Sequence, residues 1–148
     1  MRMRRASGDD LDKVVALQKA AYAENEALLG ARPLPLEADY AKILQEMEAW
    51  LCESERGVDG ALILEWRPDD LLIWSVAAHP QARSAGVGKR LLALAHERAR
   101  DMQRGTIRLY TASVYARNLA WYARNGFREE WRERLGDRTR VHMVKTLD

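Results

Sequence analysis

The stretch that most constrains this chain is the apolar run Leu71-Leu72-Ile73-Trp74-Ser75-Val76-Ala77-Ala78, stopped by His79-Pro80 and followed by Arg83-Ser84-Ala85-Gly86-Val87-Gly88. A short apolar run with β-branched and aromatic members, bounded by Pro68-Asp69-Asp70 and Pro80, predicts a strand, and a strand apolar on both faces belongs to a covered sheet. Gly86 and Gly88 take away Cβ atoms where the chain turns into a helix, so main-chain N–H groups can come close to a ligand. Unpaired amides at a helix N-terminus favour an anion, above all a phosphate. Two other phosphate motifs fail. A P-loop needs a glycine where Arg83 stands and Ser or Thr where Arg90 stands, and a dinucleotide fingerprint needs a small residue in place of Leu91.

Arg83 to Gly88 read as Arg-x-x-Gly-x-Gly after a strand, and this segment resembles the cofactor loop of the GCN5-related N-acetyltransferase (GNAT) family. A second segment, Asn118-Leu119-Ala120-Trp121-Tyr122-Ala123-Arg124-Asn125-Gly126-Phe127, is similar to that family's Asn-x-x-Ala/Leu-x-x-Tyr-x-x-x-Gly-Phe. The two span Leu71 to Phe127, more than a third of the chain. The resemblance implies acyl-CoA-dependent acetyl transfer from acetyl-CoA to a primary amine of a small molecule or peptide by direct attack.

It also implies roles residue by residue. Arg83, Ser84, Gly86, Val87, Gly88 and Lys89 would hold the pyrophosphate of coenzyme A, mainly through main-chain N–H groups, with Ser84 standing where the family usually has another glycine. The amides of Val76 and Ala78 would bond pantetheine and the thioester carbonyl. Asn118 would bond the pantetheine arm or its loop, or act as a plain N-cap. Tyr122 would be the general acid for the departing thiolate, or an amphipathic packing contact with Leu119 and Ala123. Many relatives carry a glutamate on the central strand, but Leu71 to Ala78 contains no carboxylate. Glu24, Glu26, Asp39 and Glu65 are candidate bases, and Tyr22 or Tyr40 could line the acceptor site. The missing carboxylate motivates an alternative, a non-catalytic acyl-CoA-binding regulatory module.

A chain of 148 residues is one domain by size, residues 1–148, able to bury roughly 68–70% of its unfolded surface. The single cysteine, Cys52, excludes an internal disulfide and reads as a small buried hydrophobe. No apolar run approaches the ~18 residues of a membrane helix and no signal-peptide core follows Met1, which predicts a cytoplasmic protein with no membrane partner. Charge is uneven: residues 1–70 carry nine Lys/Arg against fifteen Asp/Glu and residues 71–148 fifteen against seven, −6 and +8 for a net +2. The basic half suits coenzyme A and the acidic half a cationic acceptor; an anionic acceptor would instead point to Arg32 or the arginines after Gly126 as its anchor. No basic stripe interleaved with aromatics calls for nucleic acid. His79, beside Pro80, resembles the family's structural companion at the start of the loop, and His96 and His142 lack partners at metal spacing. A homodimer is possible, as among similar small bacterial members.

Along the chain, Met3-Arg4-Arg5 predicts an edge strand and Ser7 to Asp10 a capping box opening a helix with Leu11, Val14, Val15 and Ala21 on one face. Tyr22 to Glu26 closes that helix or leaves it. Arg32-Pro33-Leu34-Pro35-Leu36 is expected to be non-helical. A helix from Glu37 or Asp39 carries Tyr40, Ile43, Leu44 and Met47. Trp50 to Glu53 and Gly60 to Trp66 predict a hairpin. A helix after Gly88 presents Leu91, Leu92, Ala95, Ala99 and Met102 and stops at Gly105. Thr106 to Thr111 is the next strand, reached by a right-handed crossover and hence parallel to the first. Asn118 to Asn125 is a helix, and Phe127 to Leu135 and Thr139 to Leu147 are strands about a tight turn. The fold class is α/β (α+β): a GNAT-like mixed, mostly antiparallel central sheet with helices on both faces and one parallel β-α-β crossover.

Overall fold

A computed structural model describes residues 1–29 and 34–148. Its strands are β1 (Arg2–Arg5), β2 (Glu48–Ser54), β3 (Gly57–Trp66), β4 (Leu71–Ala78), β5 (Thr106–Ala112), β6 (Arg128–Leu135) and β7 (Arg138–Thr146). Its helices are α1 (Leu11–Leu29), α2 (Leu34–Glu37), α3 (Tyr40–Glu46), α4 (Val87–Asp101) and α5 (Ala116–Arg124). The strands form one sheet in the order β1-β2-β3-β4-β5-β7-β6, antiparallel except between β4 and β5. The mixed sheet with one parallel crossover is therefore as expected. Among the described residues, no helix is long and apolar enough to cross a membrane.

One face of the sheet carries α4, whose Val87, Leu91, Leu92, Ala95 and Ala99 join Leu62, Leu64, Leu71, Ile73 and Ile107 in the larger core. The other face carries α1 and α3, whose Val14, Leu17, Tyr40 and Ile43 pack on Ala49, Leu51, Ala61 and Ile63. Alternation of side chains along β2 and β3 thus feeds both cores at once, which is why these strands read as continuously apolar. Cys52 is fully buried, as its composition predicts.

Several local expectations change. The capping box forms around a 3-10 turn, Gly8–Asp10, before α1 begins. The helix runs through Tyr22–Asn25 to Leu29, since nothing in Ala-Glu-rich sequence halts it. Leu34–Glu37 is a helical turn despite Pro35, because a proline in a first turn lacks only an N–H that has no intrahelical acceptor. Arg32 and Pro33 lie outside the described residues. Asp39 caps α3, its side chain accepting from the Lys42 N–H, and Met47 stands just past the end. Helix α4 does not wait for Gly105: it ends at Asp101, Gln103 takes the left-handed conformation (φ 57°), and Met102 is exposed. Helix α5 begins two residues before Asn118.

Candidate active site

The parallel pair β4–β5 is joined in register only at Leu71–Ile107 and Leu72–Arg108. On its other side β4 pairs with β3 along its whole length, but Leu64 faces Ile73 and Ile63 faces Ser75, so Trp74 is the extra residue of a bulge. A bulge bends its strand and raises its twist. Beyond it β4 and β5 part, and a cleft of about 990 Å³ opens between them. The His79 N–H donates to the Asp59 carbonyl on β3 (2.8 Å). Backbone direction alternates along a strand. The amides of Ala78 and Val76 therefore point away from β3, into the cleft that both residues line.

At the carboxyl end of β4 the chain makes a 3-10 turn, Pro80–Ala85, capped by His79, whose Nδ1 accepts from the Gln81 N–H (3.2 Å). Gly86 follows at φ 76° and is the N-cap of α4. That left-handed backbone favours glycine, and no atom lies within 4 Å of where its Cβ would stand. Gly88 serves another end: a Cβ there would lie 3.1 Å from the Trp121 ring, so the second glycine lets α5 pack against the first turn of α4. Ser84, Gly86, Gly88 and Lys89 line the cleft. Val87 is fully buried in the core and can offer the cleft only its main chain. Arg83 lines the cleft too, but its guanidinium is paired with Glu24 and donates to the Ala21 carbonyl (3.1 Å), tying the loop to α1.

Helix α5 forms the opposite wall with Asn118, Trp121 and Tyr122. Asn118 is exposed in the first turn, and the N-cap is Tyr115, so the plain-cap reading of Asn118 is corrected. It also lies four residues before Tyr122, not the six of the family segment. The ring of Tyr122 packs on Trp121 (5.1 Å) and edge-on to Phe127 (5.8 Å), and the residue lines the cleft. Burial pushes its phenol well above the ordinary value, with Tyr22 adding to the rise. Lys145 donates to the Asn125 carbonyl (2.8 Å) and secures the carboxyl end of α5.

Trp121, Tyr110, Tyr115, Arg117 and Arg124, which the sequence had not singled out for the site, complete the walls together with Arg138 and Arg140, two of the arginines after Gly126. Tyr22, a suggested acceptor-site residue, is there as well, its hydroxyl 3.1 Å from that of Ser75. Gln18, fully buried, donates to Ser75 (3.1 Å) and Tyr40 (3.0 Å) and leaves its own carbonyl oxygen unpartnered. Tyr40 is buried on the Pro35 carbonyl instead of lining the cleft. The candidate bases separate. Glu24 lines the cleft but is held by Arg83, Asp39 caps α3, and Glu65 faces Leu72 at the far end of β4. The Glu26 side chain lies outside the described residues. Among the described residues no cluster of three His, Cys, Asp or Glu is placed to hold a metal.

Comparison with known proteins supplies an independent reading. The model of the acetyltransferase (GNAT) domain matches residues 45–129. No curated protein sequence matches the chain significantly. Among solved structures, the chain is similar to a PaiA N-acetyltransferase from Thermoplasma acidophilum in complex with coenzyme A (TM-score 0.83, 18% identity, 98% of each chain covered). It is also similar to an IAA acetyltransferase from Bacillus cereus (TM-score 0.75, 19% identity, 99% of each chain). A third is the ribosomal-protein-S18-alanine N-acetyltransferase from Escherichia coli (TM-score 0.77, 15% identity, 99% of this chain and 93% of that one).

Proposed function

The chain belongs to the GNAT acetyltransferase family, and from that premise we propose that it moves an acetyl group from acetyl-CoA to a primary amine within the β4–β5 cleft. The observation that carries this reading is the junction of three features in one cleft: two β4 amides aimed inward, a left-handed glycine opening α4, and a phenol on the facing helix. Main-chain N–H groups from Ser84 to Lys89 would bind the pyrophosphate, with Arg83 bracing the loop through Glu24 and Asn118 flanking the pantetheine arm. Val76 and Ala78 would bond the arm and the thioester carbonyl.

In the reaction the amine nitrogen attacks the acetyl carbon, and the tetrahedral oxyanion takes a hydrogen bond from the Ala78 N–H. The carbon–sulfur bond then breaks. The sulfur leaves as a thiolate that accepts a hydrogen bond from the Tyr122 hydroxyl, the attacking amine's surplus proton passes to solvent, and the departing thiolate takes its proton from solvent. A phenol is a weaker acid than a thiol, and burial of Tyr122 weakens it further. Its contribution is therefore a hydrogen bond that tightens as sulfur gains charge. The amine must arrive neutral, since the one carboxylate lining the cleft among the described residues, Glu24, is paired.

Acetyl-CoA at about a hundredfold excess over its Kd should add about 2.7 kcal/mol, raising the melting temperature by roughly 5–10 °C. Gly86→Glu sets charge and bulk where a phosphate would lie and should abolish the rise. A rise of full size in that variant puts the cofactor elsewhere. The engaged Glu24 also favours a second reading, an acyl-CoA-binding module without turnover; release of free thiol only when an amine is present excludes it.

A further inference from the structure

The acceptor side of the cleft has a charge of its own. Along β5 and β7, Leu109, Val141 and Met143 join the core beneath α4, so the alternate residues Tyr110, Arg138, Arg140 and His142 stand on the α1 side of the sheet. There α1 and α3 pack over β2, β3 and β4, while this second patch carries its own side-chain layer. Trp131, half exposed, stacks on His142 (4.2 Å, 10°), and the Arg140 guanidinium lies over the Tyr110 ring at 4.3 Å.

Carboxylates do not balance the arginines. Glu133 is 3.5 Å from Arg140 and also holds His142 at 2.9 Å. Arg138 makes no ion pair or side-chain hydrogen bond among the described residues. It reaches the cleft, and its charge is felt at Tyr115, where burial and Tyr22 raise the phenol's pKa and Arg138 opposes them. Arg138 and Arg140 against Glu133 leave positive charge in excess at this patch, and Arg117 and Arg124 line the same cleft, so its wall favours an anionic group. Of the acidic residues of positions 1–70, expected to favour a cationic acceptor, Glu24 alone lines the cleft among the described residues, and Arg83 holds it; Asp10, Glu48 and Asp70 pair away from the cleft with Arg4, Arg98, and Arg67 and Arg108.

We infer that the acceptor is an amine that also bears a carboxylate, held by Arg138 with Arg140 beside it while its nitrogen enters between β4 and β5. This inference rests on the acetyl-transfer reading and deepens it. A guanidinium donates two parallel hydrogen bonds to a carboxylate and none to a carboxamide's NH₂.

The test measures kcat/KM with acetyl-CoA for glycine, β-alanine, γ-aminobutyrate and a set of α-amino acids, each against its own carboxamide, with phosphoethanolamine added. At least one acid should exceed its amide by about tenfold or more. Arg138→Gln should bring that ratio to about one by raising KM for the acid, with the acetyl-CoA melting shift retained, and Arg138→Lys should recover part of the preference. Equal rates for acids and amides, a preference that survives Arg138→Gln, or phosphoethanolamine ahead of every acid would overturn the inference and leave acetyl transfer standing. Failure of acetyl-CoA to shift the melting point, or of every amine to be acetylated, would bring down the acetyl-transfer reading and this inference with it.

Discussion

The sheet has two unlike halves that meet at the cleft. From β1 to β4 every neighbouring strand is paired over most of its length and both faces are packed, so Leu51, Leu62, Ile63, Leu64 and Leu71 are fully buried. From β5 to β6 one face is packed and the other is an open layer of arginine and aromatic side chains, and the outermost strand β6 is exposed almost throughout. On the proposed function, the first half would be the scaffold and the second the surface that reads the acceptor.

The comparison breaks most sharply in the core of the first half. Leu64→Ala removes a fully buried side chain from β3 beside the bulge and should cost about 2–5 kcal/mol. Leu135→Ala, on the exposed end of β6, should change stability by no more than about 0.5 kcal/mol. Urea unfolding of both variants measures the difference, and equal midpoints would mean that the two halves share one level of stability.

Tyr122→Phe addresses the wall between them. The ring keeps its contacts with Trp121 and Phe127, and only the hydroxyl is lost. Turnover should fall about a hundredfold, the low end for a proton donor, with KM for acetyl-CoA little changed. Because burial holds this phenol above its ordinary value, the wild-type rate should keep rising from pH 6 to 9 as the amine loses its proton, with no descending limb. Unchanged turnover with a lowered melting temperature would make Tyr122 a packing residue.

What the sequence disclosed followed the same division. The apolar run of β4, the start of α4 at Gly86-Val87 and the buried face of that helix were legible because local periodicity and turn chemistry determine them. The Tyr122-to-Phe127 spacing was legible for the same reason. Other features depend on partners distant in the chain. Arg83 was read as a phosphate ligand, yet a carboxylate 59 residues away on α1 takes its guanidinium. Arg138 and Arg140 were legible only as two of the many arginines after Gly126; the β5–β7 register sets Arg140 opposite Ala112, and both line the cleft. The acidic balance of residues 1–70 could not disclose which carboxylates are paired, because net charge says nothing of pairing: Glu48 accepts from Arg98, Trp50 and Trp66 in the scaffold. Pro35 and Gly105 misled because a breaker's effect depends on where in a turn it falls.

The smallest of these effects separates the halves by their ion pairs. Asp10 is buried against Arg4, whose guanidinium donates to it twice (2.7 and 3.0 Å), and it also accepts from the Ser7 N–H at 3.0 Å. The Arg4 bonds chiefly, then the Ser7 amide, outweigh burial and bring its pKa down to about 2 from 3.8. A carboxylate depressed in the folded state stabilises it above the unfolded pKa, and that contribution is lost as pH falls toward the folded value. Asp10 should thus contribute about 2 kcal/mol at neutral pH, declining between about pH 4 and pH 2. In the reading half, Glu129 pairs with Arg132 on the surface, where solvent screens the pair. Asp10→Asn should therefore lower the urea midpoint at pH 7 and converge on wild type near pH 2, whereas Glu129→Gln should leave the midpoint in place at both. A pH-independent deficit in Asp10→Asn would assign its role to the shape of the capping turn, leaving charge no part in distinguishing the scaffold from the reading surface.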